Sequence, residues 1–235
     1  MRTDSINISI PETARLGIVC EGRDEEIYLS AFFEANMKEA YAAGHIYIVH
    51  AVGNSQIGPR LQSLKNAPGM SGLKYLAVVR DAEKDAHGAK QSVRSAFRKA
   101  DFCVVPQDPG KWYAPRPDEL DQHEDWDDLS TGYLLFPTCD DRPVPGTLED
   151  LALQTIADEK RNAYLDAARR YLGAVQVERG LEKYTEPHKN LLYAYLSGTN
   201  DAKGCKIGEA ARAKIFDWDS PLYGHMKEFF GQALA

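Results

Sequence analysis

The sequence predicts an α/β fold, a mostly parallel sheet flanked by helices with a C-terminal helical extension. Three observations predict it. Short apolar, β-branched runs alternate with longer helical stretches over residues 15–106, the pattern of parallel strands joined by crossover helices. From residue 148 onward helical periodicity takes over. The composition, 43% hydrophobic and 27% charged, suits a chain that buries a core without disulfide staples.

The elements follow in order. Arg15 to Cys20 (RLGIVC) reads as a buried strand that ends in the turn Glu21-Gly22. A helix then runs to about Ala43, with Asp24 as its N-cap and Gly44 as its stop. His45 to Val52 is β-branched and aromatic, hence a strand; Gly53-Asn54-Ser55 is a turn with backbone N–H groups to offer, and Gln56 to Lys65 a short helix. Leu73 to Val79 is the third strand, ending at Arg80-Asp81. Gly88 to Ala100 is helical, with Lys90, Arg94 and Arg98 along one face, and Asp101 to Pro106 (DFCVVP) is a fourth strand.

Asp108 to Asp128 interrupts the pattern. It is Pro-rich and then acidic, and predicts an irregular insertion at about 108–130 in which Trp112, Tyr113 and Trp126 act as anchors. Thr131 to Pro137 returns to strand, and Thr147 is the N-cap of the next helix. Helices are expected over 148–157, 160–178, 187–197, 206–215 and 221–232, with a loop at Gly198 to Gly204. The organisation is therefore an α/β domain over 1–145 and a helical extension over 146–235 packed on it.

Bulk charge narrows the function. A net charge of −7 argues against coating nucleic acid by electrostatics alone, though an acidic total leaves room for a carboxylate site that a cation neutralises. No apolar run reaches the roughly 18 residues of a membrane helix, so no membrane partner is expected. The four cysteines show no paired spacing, which fits a reducing cytoplasm.

Acidic residues supply the chemistry. Glu21 and Asp81 each follow a strand directly. In parallel sheets ligands bind beyond the carboxyl ends of the strands, so both project onto one edge. Asp81 and Glu83, two residues apart, can place two carboxylates on one side of a tight loop. Such oxygen donors suit Mg²⁺ or Mn²⁺, with Glu21 either a ligand or a proton-transfer residue. Asp85 and the pair Glu149-Asp150 are further acids, and the pair also fits the first turn of a helix electrostatically.

The stretch IVCEGRDEEIYL followed by YLAVVRDAEKD resembles the Toprim domain, whose pattern is a Glu-Gly with an Asp two residues on, then an apolar strand ending in Asp-x-Asp. The resemblance covers about residues 14–107, and PGTLEDL extends it toward small prokaryotic Toprim-like proteins related to the OLD-type nucleases. It implies a Toprim-like, Rossmann-like fold and a metal-dependent nuclease acting on DNA or RNA. Glu21 then matches the Toprim glutamate and Asp81 the first aspartate, with Glu83 at the second position. Glu149 and Asp150 fall where a second metal is held, and Lys189 where a late lysine stabilises the transition state. The chain departs from the pattern at Glu83, where the family has aspartate. The extra methylene shifts a ligand by about 1 Å, enough to weaken catalysis, and Asp85 is the nearest substitute.

Three functions follow as expectations. The first is a metal-dependent nuclease. The second is a catalytically degenerate binding module acting with a partner such as an ATPase, or as a homo-oligomer. OLD-type nucleases carry their ATPase in the same chain, whereas this chain has no GxxxxGK[ST]. The third, dinucleotide binding, is disfavoured because no GxGxxG follows the first strand. His87 and His188 read as surface histidines.

Overall fold

The computed structural model describes residues 8–116, 128–199 and 206–235. Strands β1 (Leu16–Cys20), β2 (Ile46–His50), β3 (Tyr75–Asp81), β4 (Trp112–Tyr113) and β5 (Ser130–Phe136) form one sheet in the order β2-β1-β3-β5-β4. β1 pairs in parallel with both β2 and β3, and β3 in parallel with β5. Only β4 is antiparallel. The α/β class and the mostly parallel sheet are as the sequence predicts.

Alternation along the strands divides the core into two layers. Leu16, Ile18 and Cys20 of β1, Ala77 and Val79 of β3, and Leu134 and Phe136 of β5 face one side. Val19, Leu76, Val78, Tyr133 and Leu135 face the other. The second side is covered by α3 (Ile57–Lys65) and α4 (Ala86–Lys99), through Leu61, Leu64, Val93 and Phe97.

The first side is covered by α1 (Arg23–Asn36) and by the C-terminal helices α5 (Leu148–Gln154), α6 (Arg161–Glu178), α7 (Pro187–Ser197), α8 (Ile207–Arg212) and α9 (Gly224–Leu234). These helices share one apolar core with α1. At Gly208 of α8 a Cβ would lie 2.7 Å from Ile27 Cβ, so glycine lets α8 seat against α1. Tyr28 of α1 hydrogen-bonds Tyr223, which also bonds Thr155 at 2.9 Å, so the buried hydroxyls find partners inside the core. Among the described residues no helix is long and apolar enough to cross a membrane.

Three local expectations are corrected. The helix expected to run to Ala43 breaks at Met37, whose φ of −138° is not helical, and resumes as the short α2 (Lys38–Ala42). Its N-cap is Gly22, and Asp24 lies within the first turn. Asp101 to Pro106 is not a strand. Asp101 enters it in the left-handed region with φ 56°, and Val104 accepts a hydrogen bond from the Thr131 side chain at 3.0 Å instead of joining the ladder. The place beside β3 is taken by β5, paired over seven residues from Ser130 to Phe136. A short apolar run signals burial, and Phe102 and Val104 are buried, but it does not by itself signal pairing.

The basic face of α4 is also partly spent internally. Lys90 pairs with Asp108 at 2.6 Å, and Arg94 bonds Gln107 at 2.5 Å. Trp112 is an anchor as expected. It stacks on Phe229 at 4.2 Å between centroids and donates Nε1–H to the Phe229 carbonyl at 2.8 Å. Trp126, most of the acidic run, and most of the loop at 198–204 lie outside the described residues.

Phe32 is fully buried and meets the rings of Phe33, Trp218, Tyr223 and Phe230. Phe32→Ala should cost about 3–5 kcal/mol in urea unfolding. Val177→Ala, at a position 79% exposed, should stay within about 0.5 kcal/mol of the parent.

Candidate functional site

Register builds the site. β1 and β3 run side by side with Cys20 opposite Val79. The residue after β1, Glu21, therefore arrives beside Arg80 and Asp81 at the end of β3. Gly22 starts α1 directly, which returns Glu25 over the same edge in the first helical turn, where acids are favoured. A third arm comes from the loop after β5. Glu83 and Gly146 exchange backbone hydrogen bonds at 2.8 and 2.7 Å, which places α5 so that the Leu148 N–H donates to Asp81 Oδ1 at 2.8 Å. The segment Thr185–Lys189, entering α7, closes the far side. Together these arms line a cleft of about 720 Å³.

Glu21, Asp81, Glu83, Asp85, Glu149, Asp150 and Lys189 all line this one cleft. They differ in what their side chains are free to do. Asp81 lies at its base, and burial pushes its carboxyl well above the usual range; the charges of Glu149 and Glu25 add to this, and the Leu148 N–H opposes it. Its Oδ2 has no hydrogen-bond partner among the described residues. Glu21 is also raised by burial, while the Arg80 guanidinium pulls it back. Its Oε2 is buried and unpartnered. Glu25 is raised by burial, with Glu21 and Glu149 adding repulsion.

Two of the acids are already committed. Asp85 caps α4, accepting from the Gly88 N–H at 2.9 Å. Asp150 closes a capping box at the start of α5, where its Oδ2 accepts from the Thr147 N–H at 2.7 Å and hydroxyl at 3.2 Å. Its Oδ1 bonds His188 Nδ1. Glu83 sits in the left-handed region with φ 58°. Lys189 Nζ approaches Glu149 Oε1 at 3.8 Å.

Sequence reasoning missed Arg80, Asn54 and Glu25. Arg80 is 2% exposed. It donates to Asn54 Oδ1 at 2.6 Å and to Ser92 Oγ at 3.3 Å, and from Nε to the Asp81 carbonyl at 3.0 Å. A charged residue inside the apolar strand YLAVVRD was the available signal, since a buried cation needs partners. Asn54 was expected as a turn residue with a backbone N–H to offer; what was missed is its side chain, which holds Arg80. Glu25 lies four residues after Glu21, one helical turn on.

The donor set suits a hard cation. Carboxylates raised by burial, one with a buried and unpartnered oxygen, line the cleft at an electrostatic cost that a divalent ion would relieve. Among the described residues no three acidic, histidine or cysteine side chains already converge as a ligand cluster.

The raised carboxyl of Asp81 sets a pH signature. An acid whose folded pKa lies above its unfolded value opposes folding once both states ionise. The penalty is absent below the ordinary carboxylate range and grows as pH rises through the folded value. Without divalent ions, Asp81→Asn, which keeps the acceptor for Leu148, should melt above the parent at pH 8, by about 2–4 °C for each kcal/mol recovered. The gap should close as pH falls toward the ordinary carboxylate range. Scanning calorimetry across pH checks this, and melting curves that stay parallel would count against the strained-carboxylate account.

The cleft can now be set beside known proteins. The structure is similar to the C-terminal region of the Xanthomonas campestris pv. campestris OLD protein, with 14% identity, a TM-score of 0.44, and coverage of 94% of this chain and 96% of that chain. No curated protein matches the sequence. The model of one family, described as a protein of unknown function (DUF3226), matches residues 17–235, and the chain belongs to that family.

Proposed function

We propose that this protein carries out divalent-metal-dependent phosphodiester chemistry on nucleic acid, as a nuclease of Toprim type. One observation carries the reading. Glu21 and Asp81, on separate parallel strands, meet in one cleft with carboxyls raised by burial and an unpartnered buried oxygen between the arms. Glu21 and Asp81 are the residues that would hold Mg²⁺ or Mn²⁺, flanked by Glu83 and Glu149. Asp150 is left out of the ligand set because one oxygen closes the capping box and the other holds His188, and Asp85 because it serves as the cap of α4. When bound, the ion supplies electrophilic activation of a phosphate and of water.

The chain's own residues do the rest. Lys189 sits at the mouth of α7 beside Glu149 and presents the ammonium that can meet a phosphate oxygen. Arg80, beneath the carboxylates, fixes Asn54 and offsets the charge of Glu21 from below. The order of the carboxylates and the motif spacing are those of the resemblance described above.

A second reading has an observation of its own. Glu83 combines the departure from Asp-x-Asp with a left-handed backbone tied to Gly146, so its carboxylate reaches the cleft by a different path from that of an aspartate in an extended segment. The protein would then be a degenerate Toprim-fold binding module, working with a partner such as an ATPase.

Two measurements separate these readings. Purified protein should nick DNA or RNA with Mg²⁺ or Mn²⁺, and Asp81→Ala should lower the rate by about 10²-fold or more; cleavage that persists in EDTA would sink the metal reading. In calorimetry the parent should take up Mn²⁺ and Glu21→Gln should bind it more weakly. A degenerate module shows no carboxylate-dependent uptake.

A further inference from the structure

The proposed ligand set leaves one chemically competent side chain of the cleft unused. His188 lies in the first turn of α7 and lines the cleft with its side chain 61% exposed. Its Nδ1 bonds Asp150 Oδ1. An ionised carboxylate only accepts, so Nδ1 is the donor in this pair.

Asp150 is not free to turn. Its other oxygen accepts from the Thr147 N–H at 2.7 Å and hydroxyl at 3.2 Å, within the capping box that starts α5. A fixed carboxylate on Nδ1 fixes both the orientation and the tautomer of an imidazole. It leaves Nε2 as the working atom, and Nε2 has no partner among the described residues.

The location is equally defined. The next residue, Lys189, reaches Glu149, and Glu149 is the charge that most raises Asp81 after burial itself. The Leu148 N–H that binds Asp81 belongs to the same α5 turn as Asp150. One helix start therefore holds a candidate ligand with its backbone and the partner of His188 with a side chain.

We propose that His188 is the proton donor to the leaving oxygen of the phosphodiester, oriented by Asp150. The inference rests on the phosphodiester reading above and deepens it. In the step, a water oxygen bonds to phosphorus and the bond from phosphorus to the leaving alcohol oxygen breaks. The bonding pair stays on that oxygen, which takes the Nε2 proton of the His188 imidazolium and leaves the neutral Nδ1–H tautomer that Asp150 holds. The proton lost by the attacking water passes to solvent, from which His188 is recharged. A correctly placed donor of this kind contributes about 10²–10⁴-fold.

The competing account is a plain tether, in which the His188–Asp150 bond only ties α7 to α5. The test separates them through the leaving group. His188→Asn keeps a donor near the Nδ1 position and removes Nε2. It is assayed on an oligonucleotide with the ordinary linkage, and on one whose leaving bridging oxygen, identified by product mapping, is replaced by sulfur, which departs without protonation. Mn²⁺ is the metal throughout, and the melting curve of each variant is recorded.

On the oxygen linkage the variant should lose about 10²–10⁴-fold; on the sulfur linkage it should return to within about tenfold of the parent. Asp150→Asn should follow the same pattern with a smaller loss. An equal loss on both linkages overturns the proposal in favour of the tether, and so does no loss on either. A parent that cleaves neither linkage removes the phosphodiester reading and the proton donor with it. His188→Gln serves the same comparison should His188→Asn fail to fold.

Discussion

The parallel pairing of β1 with β3 is the constraint on which the rest depends. Leu16 faces Tyr75 and Cys20 faces Val79, with no offset along the ladder. Side chains alternate between the two faces of a strand, so a slip of one residue would send Ile18 and Val79 to the wrong layers. The apolar pattern therefore locks the register, and the register delivers Glu21 and Asp81 to one edge. Residues far apart in sequence become neighbours because all five residues of β1 are buried and paired in this register.

That edge is electrostatically expensive. Glu21, Glu25 and Asp81 are all raised by burial first, and then by neighbouring acids: Glu83 on Glu21, Glu21 and Glu149 on Glu25, and Glu149 and Glu25 on Asp81. The protein limits the cost without removing it. Arg80 is sunk beneath the acids and satisfied by Asn54, Ser92 and the Asp81 carbonyl, so it acts as a fixed countercharge that needs no further partner. The α5 backbone gives one hydrogen bond to Asp81. One oxygen of Glu21 is still left bare. A fold serving stability alone would have filled that position with an apolar side chain, and such unrelieved strain is the mark of a site.

The sequence carried the fold well and the site unevenly. β1 and β3 were legible because each is a short apolar run that leads into a charged residue, and helices α4, α6, α7 and α9 because their periodicity runs over 11 or more residues. Asp101 to Pro106 misled because its composition records burial, whereas pairing is decided by what else competes for the edge of β3. Among the acids, type and spacing could not distinguish a free carboxylate from a spent one. Asp85 and Asp150 look like Glu21 in sequence, yet each has an oxygen tied to a helix start. Arg80 and Asn54 were invisible as a pair because their partnership runs between β3 and the turn after β2.

Glu83 shows how a single backbone bridge docks a helix. Its backbone is left-handed, with φ 58°, a conformation disfavoured for a side chain that is not glycine or asparagine. Two hydrogen bonds to Gly146 hold it there, and Gly146, with φ 148°, approaches Pro137 so closely that a Cβ would lie 2.9 Å from its ring. This bridge brings the loop before α5 down onto the end of β3 and so sets the Leu148 N–H on Asp81. The same bridge turns the backbone at position 83 away from the extended path that would aim a short carboxylate forward. The bridge thereby docks α5, and α5 brings Glu149 and the Asp150–His188 pair to the cleft.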